Sequence, residues 1–162
     1  MREVIRQIRV ASAQGLYYLA LYGALTLPDI CGALESQNGR SSGPKYKAWL
    51  GANVPGQAAQ AEQIYGLRCS LMHQGRAMPK GSHFPIAFTA PGTGQLHNPS
   101  TVVDGDQVGW LSIEIFVEEV TNAAEGWLER VEGNTIVQRN LEKFARLRPD
   151  GLPPHVSGPV IA

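Results

Sequence analysis

The 162-residue chain predicts a mainly α fold: a bundle of four to five helices with a small β-hairpin or loop insertion around residues 80–109. Three observations lead there. Apolar residues recur at helical spacing over most of the chain. Four prolines, Pro79, Pro85, Pro91 and Pro99, fall in the one internal stretch that loses this period. The two cysteines, Cys31 and Cys69, make no disulfide framework, and each sits in an apolar helical pattern as a small buried thiol. With 43% apolar and 17% charged residues, the chain is globular and long enough to bury one core unaided. It reads as one domain over 1–148 with an irregular Pro/Gly-rich tail over 149–162.

Val4, Ile8 and Ala11 open a rhythm continued by Leu16, Leu19, Gly23, Leu27, Ile30 and Leu34. It predicts helix over 3–36, with Gly15 as the point of interruption and Pro28 as the point of a kink. Gln37-Asn38-Gly39 and Ser41-Ser42-Gly43-Pro44 predict a loop, and Tyr46 and Trp49 a short helix ending by 51–54. Pro55 suits the first turn of the next helix, whose apolar stripe is Ala61, Ile64, Leu67 and Leu71 and whose stop is Gly75. Residues 84–89 and Ser100–Val103 read as two short strands of a hairpin. Ile113, Phe116, Val117, Val120, Ala124, Trp127, Leu128 and Val131 give the cleanest amphipathic helix, with Glu114, Glu118, Glu125 and Glu129 opposite. Asn134 is the expected N-cap of a last helix, with Val137, Leu141 and Phe144 inward and Arg139, Lys143 and Arg146 on its solvated face.

The stretch from Val10 to Pro28 is uncharged and follows Arg2, Arg6 and Arg9, as a signal peptide or membrane span would. It also contains Ser12, Gln14, Gly15 and three tyrosines, and no long Leu/Ile/Val run, so a buried bundle helix is expected. No membrane partner follows, and the unpaired cysteines place the chain in the cytoplasm. Net charge is zero but unevenly spread. Residues 1–81 hold nine Lys/Arg against four Asp/Glu, and residues 82–162 hold five against ten. Two readings stand: a basic face around Arg68, Arg76 and Lys80 for a polyanion, or halves that attract each other.

The run Leu67-Arg68-Cys69-Ser70-Leu71-Met72-His73-Gln74-Gly75 places an arginine and a histidine in Arg-x-x-x-x-His spacing near a helix end. The guanidinium is permanently cationic and forks onto phosphate oxygens; an imidazole exchanges protons near neutrality. Five residues of ideal helix set two side chains ~140° apart and ~7.5 Å apart in rise, so a straight helix does not aim both at one atom. A bend near Gly66, unwinding before Gly75, or pooling across a two-fold axis removes the difficulty. The plain alternative is an arginine paired with a carboxylate and a helix-end histidine facing the dipole. Cys69 and His73, four apart, are also spaced as a thiol and its base, although a core cysteine explains Cys69 as well. No His or Cys spacing fits a metal, and none of the loops fits a cofactor, so neither is expected. Asp104-Gly105-Asp106 reads as a turn rather than a calcium loop.

This run resembles the signature of the HEPN superfamily, small helical domains, mostly prokaryotic, of which many are metal-independent endoribonucleases. Ala20-Leu21-Tyr22, the segment Leu27-Pro28-Asp29-Ile30-Cys31-Gly32-Ala33-Leu34-Glu35-Ser36, Gly39, Tyr46 and Trp49 are similar to a plasmid- and prophage-associated HEPN branch of about this length, covering nearly the whole chain. The resemblance implies a HEPN-like bundle and a toxin or phage-defence ribonuclease. Arg68 and His73 would be catalytic, and the motifs of two subunits would line one groove of a homodimer. RNA is the implied substrate and an antitoxin or other protein the implied partner. Cys69 stands where many catalytic members carry Asn, Asp or His, with Ser70 beside it as a second supporting group. Catalytically silent members that bind nucleic acid or protein are the alternative. Asp29 and Glu35 are candidates to pair with Arg68 or orient His73; the alternative is an N-cap-like Asp and a solvated Glu. Arg76 and Lys80 are candidates for the phosphate backbone, and Tyr46 and Trp49 for base stacking, against the alternative of core or dimer packing.

Overall fold

The helix expected over 3–36 is two helices, α1 (Arg2–Ala13) and α2 (Tyr17–Leu34), broken at Gly15, which adopts φ +71°. That left-handed backbone is open to glycine at little cost and turns the chain back on itself. The computed structural model describes residues 1–77, 86–93 and 96–162. α1 then lies along α2 so closely that a Cβ at Gly23 would stand 2.5 Å from Ile8 Cγ1. α2 is the centre of the bundle and packs on α1, on α3 (Gly43–Asn53), on α4 (Ala61–Gln74), on α5 (Ile113–Arg130) and on α6 (Thr135–Leu141). Its composition, uncharged except for Asp29, follows from that position: Ala20, Ala24, Leu25, Leu27 and Cys31 are fully buried. Among the described residues no helix is long and apolar enough to cross a membrane.

The helix carrying Tyr46 and Trp49 starts earlier than expected, because Gly43 and Pro44 form its first turn rather than the end of the loop. Pro55 opens a 3₁₀ turn, Pro55–Gln60, that leads straight into α4. α4 ends where expected. Gly75 takes φ +64°, its N–H bonds the Leu71 carbonyl at 3.0 Å and Arg76 N–H bonds Ser70 at 3.3 Å, satisfying carbonyls the helix leaves open. Asn134 caps α6 by accepting from Ile136 N–H at 2.9 Å and Val137 N–H at 3.2 Å. Asn140 in turn donates to the carbonyls of Leu34 and Ser36, closing the end of α2.

The insertion differs from a two-stranded hairpin. β1 (Ile86–Thr89) and β2 (Ser100–Val103) do not pair with each other; β3 (Asp106–Ser112) lies between them, parallel to β1 and antiparallel to β2. Asp104 and Gly105, both at positive φ, form the two-residue β2–β3 turn. The sheet seals one flank of the bundle through Ile86 and Leu111 and through Phe88, edge-on to Phe116 at 5.4 Å. Fully buried Gln57 ties the loop before β2 to the helices, donating to Asn98 Oδ1 at 3.1 Å and Glu119 Oε2 at 2.9 Å. The C-terminal tail also departs from an irregular reading: β4 (Leu147–Arg148) pairs antiparallel with β5 (Val160–Ile161). The unlike-charged halves meet inside the chain at Arg9–Glu125, 2.8 Å apart.

Candidate functional site

α4 is continuous from Ala61 to Gln74, yet Arg68 Nη1 stands 3.4 Å from His73 Nε2. The expectation that a straight helix keeps the pair apart is therefore corrected. It holds for the Cα–Cβ directions, but the arginine stem is long enough to wrap the helix surface. A guanidinium has only donors, so His73 Nε2 must present its lone pair in this arrangement, with the ring proton on Nδ1. At 3.4 Å the bond is long and easily exchanged for another acceptor.

Arg68 is steered by Asp29 on α2. Its Nε lies 2.6 Å from Asp29 Oδ2, with side chains 21% and 18% exposed. Both atoms are buried and neither meets hydrogen-bond geometry, so the contact is an ion pair without a directed N–H bond. Asp29 is not an N-cap: it sits inside α2, one residue past the buried Pro28, on the face turned toward α4. Beneath the pair lies Tyr46, fully buried, with its hydroxyl unpartnered. Burial and then the nearby Asp29 carboxylate push its phenol well above the usual tyrosine range. Its ring meets Tyr65 at 5.2 Å.

Cys69 does not pair with His73. Cys69 lies against Tyr65 one turn earlier, and this neighbour, ahead of burial, raises the Tyr65 phenol above its ordinary value. A thiol–imidazole dyad is not what this helix builds. Ser70 is buried against the core side of α4. Sequence reading missed Tyr65, although its four-residue spacing from Cys69 was a usable signal.

Other expected site residues lie elsewhere. Glu35 is the C-cap of α2 and accepts from Trp127 Nε1 at 2.7 Å, so it neither pairs with Arg68 nor orients His73. Tyr46 and Trp49, at 0% and 3% exposure, are core residues with no ring face open for a base. Trp49 packs edge-on to Trp127 at 6.3 Å. Arg76 is exposed just past Gly75; Lys80 and His83 lie outside the described residues. Among the described residues no group of three or more His, Cys, Asp or Glu could hold a metal ion.

The arrangement thus offers a cation with spare donors beside an exposed imidazole held only by one long contact to that cation, on a helix end open to solvent. Such a pair can grip a phosphate oxygen and move one proton next to it. No protein-family model matches the chain, and neither a curated protein nor a solved structure is significantly similar to it.

Proposed function

We propose that this chain is a metal-independent endoribonuclease of HEPN type, a toxin or phage-defence effector acting in the cytoplasm as a homodimer. The observation that carries the reading is the approach of Arg68 Nη1 to His73 Nε2 at 3.4 Å. In this reaction the RNA 2′-hydroxyl attacks the adjacent phosphorus while the bond to the 5′-oxygen breaks. His73 takes the 2′-proton through Nε2, and His73 of the second subunit returns one to the leaving 5′-oxygen. Arg68 holds the charge that grows on the non-bridging oxygens. The products are a 2′,3′-cyclic phosphate and a 5′-hydroxyl, and DNA, lacking the nucleophile, is not cut. Arg76 extends the basic edge along the strand.

Two further features support this reading. Asp29 engages Arg68 through Nε, which leaves the terminal Nη nitrogens, one of them beside His73, to meet a phosphate. An apolar groove of about 460 Å³, lined by Leu21, Leu67, Leu71 and Phe88 with the exposed Tyr18 at its edge, offers a second copy an apolar surface to cover.

A silent, binding-only domain is the second reading, favoured by the engagement of Cys69 with Tyr65 rather than with the motif. RNA cleavage in EDTA separates the two. The nuclease reading expects cutting by the wild type and loss of at least about a hundredfold in His73→Ala and in Arg68→Ala. Equal cutting by wild type and His73→Ala, or cutting abolished by EDTA, overturns it.

A further inference from the structure

Arg139 and Lys143 read from sequence as a solvated face of α6, but the fold brings two more cations to them. The loop between α2 and α3 does this. Asn38 Oδ1 accepts from Ser36 Oγ at 2.7 Å and from the Arg40 N–H at 3.1 Å, and Gly39 turns the chain at φ +67°. A Cβ at Gly39 would stand 3.5 Å from Asn140 Oδ1, so the turn lies against α6. Arg139 Nη2 donates to the Gln37 carbonyl at 2.8 Å, and Lys45 Nζ, from α3, donates to the Arg40 carbonyl at 2.9 Å. Lys143 lines one groove with Gly39 and Asn140. Cations from the loop, α3 and the end of α6 thus gather around one turn of chain.

Their charge is not compensated locally. Among the described residues none of Arg40, Lys45, Arg139 and Lys143 is in an ion pair. Glu35 is spent on the Trp127 N–H, and Glu142, exposed at the end of α6, makes no ion pair with the described residues. Lys45 and Arg139 are held by neutral carbonyls, so they keep full charge and have less freedom to lose when an anion arrives. Like charges gathered without counter-charge repel one another and raise the local potential, which favours a polyanion over solvent.

We infer that this cluster binds the phosphodiester backbone of single-stranded RNA away from the point of cleavage. The choice of RNA rests on the nuclease reading; the placement of the cluster supports it. Asp29, which holds Arg68, and Ile30, which lines the groove beside Lys143, are successive residues of α2. Gly43, past the far end of the loop, seats the Tyr65 ring of α4, whose Cε1 and Cζ lie 2.9 Å from where its Cβ would be. The loop therefore links the face of α4 that carries the motif to the four cations. A positively charged track of this kind holds a single strand by its phosphates, without reading sequence.

The assay is fluorescence anisotropy of the intact chain with a labelled single-stranded 2′-O-methyl RNA of roughly a dozen nucleotides, which cannot be cut by its own 2′-oxygen. Binding is followed over about 50–200 mM salt. Arg40 and Lys143 are exposed, and their side chains hold no part of the fold. The double variant Arg40→Gln with Lys143→Gln is expected to bind about tenfold more weakly and to flatten the salt slope by about 1.4, two phosphate contacts' worth. Arg40→Lys with Lys143→Arg is expected to bind as wild type. The inference is overturned if wild type fails to bind at micromolar protein and low salt, or if the glutamine variant keeps wild-type affinity and slope. It is equally overturned if the charge-preserving variant binds as weakly as the glutamine one. Displacement of the RNA by polyglutamate at equal charge would assign the cluster to an acidic protein and also overturn it. A chain that binds in this way but cuts no RNA loses the nuclease reading alone; one that cuts RNA while the glutamine variant binds as wild type loses this inference alone.

Discussion

Replacing Asp29 with asparagine removes the charge that holds Arg68 while keeping the shape of the side chain. Exposed ion pairs contribute about 0–1 kcal/mol, and breaking a fully buried pair costs about 3–5 kcal/mol. With side chains 18% and 21% exposed, the Asp29–Arg68 pair lies between these limits. Its 2.6 Å contact lacks hydrogen-bond alignment, which places Asp29→Asn at the lower part of the interval, about 1–2 kcal/mol. For a chain of this size that is a fall in Tm of about 2–8 °C. Thermal unfolding of Asp29→Asn, Arg68→Gln and the double variant completes a cycle. The expected coupling is about 1 kcal/mol, because each single change leaves the other partner's group half-buried and unpaired. If the two losses add to within about 0.3 kcal/mol, the ion pair does not hold Arg68 and the account of its orientation fails.

Three other substitutions probe the frame around the site. Tyr46→Phe removes a buried, unpartnered hydroxyl and is expected to raise stability by about 1 kcal/mol in denaturant titrations near neutral pH. Because the folded phenol ionises above the unfolded value of 10.0, its contribution is intact below pH 10 and is lost as pH rises beyond it. Wild type should therefore lose up to about 1.4 kcal/mol per pH unit in that range from this group, a slope absent in Tyr46→Phe. Gly23→Ala puts a methyl 2.5 Å from Ile8 Cγ1 and should cost about 1–3 kcal/mol in thermal melts. Asn134→Ala frees two N–H groups at the start of α6 and should cost about 1 kcal/mol, read as faster amide exchange at Ile136 and Val137.

The helical frame was legible because its signals are local. Gly75 and Asn134 mark helix ends through bonds to residues within five positions, and the Asp104-Gly105 turn is set by backbone dihedrals alone. β3 was not legible, since Val108, Leu111 and Ser112 are all buried and the strand runs without a break into the apolar pattern of α5. A strand covered on both faces loses the alternation that marks it. At the site, Arg68 and His73 stood out by chemistry, and Asp29 was one of two carboxylates to choose between. The choice depended on tertiary packing: Asp29 faces α4, while Glu35, nearly two turns on, falls at the helix end beside Trp127. Tyr46 and Trp49 misled because an aromatic residue next to a charged motif reads equally well as binding surface or as core.

The phosphate chemistry is tested most directly by the ends it leaves. Single-stranded RNA incubated with the chain in EDTA should yield fragments ending in 2′,3′-cyclic phosphate and beginning with 5′-hydroxyl, as read by mass spectrometry, with a 2′-deoxy substitution at the cut position blocking that cut. Fragments with 3′-hydroxyl and 5′-phosphate ends, or RNA left whole at micromolar enzyme, would contradict the assignment of Arg68 and His73.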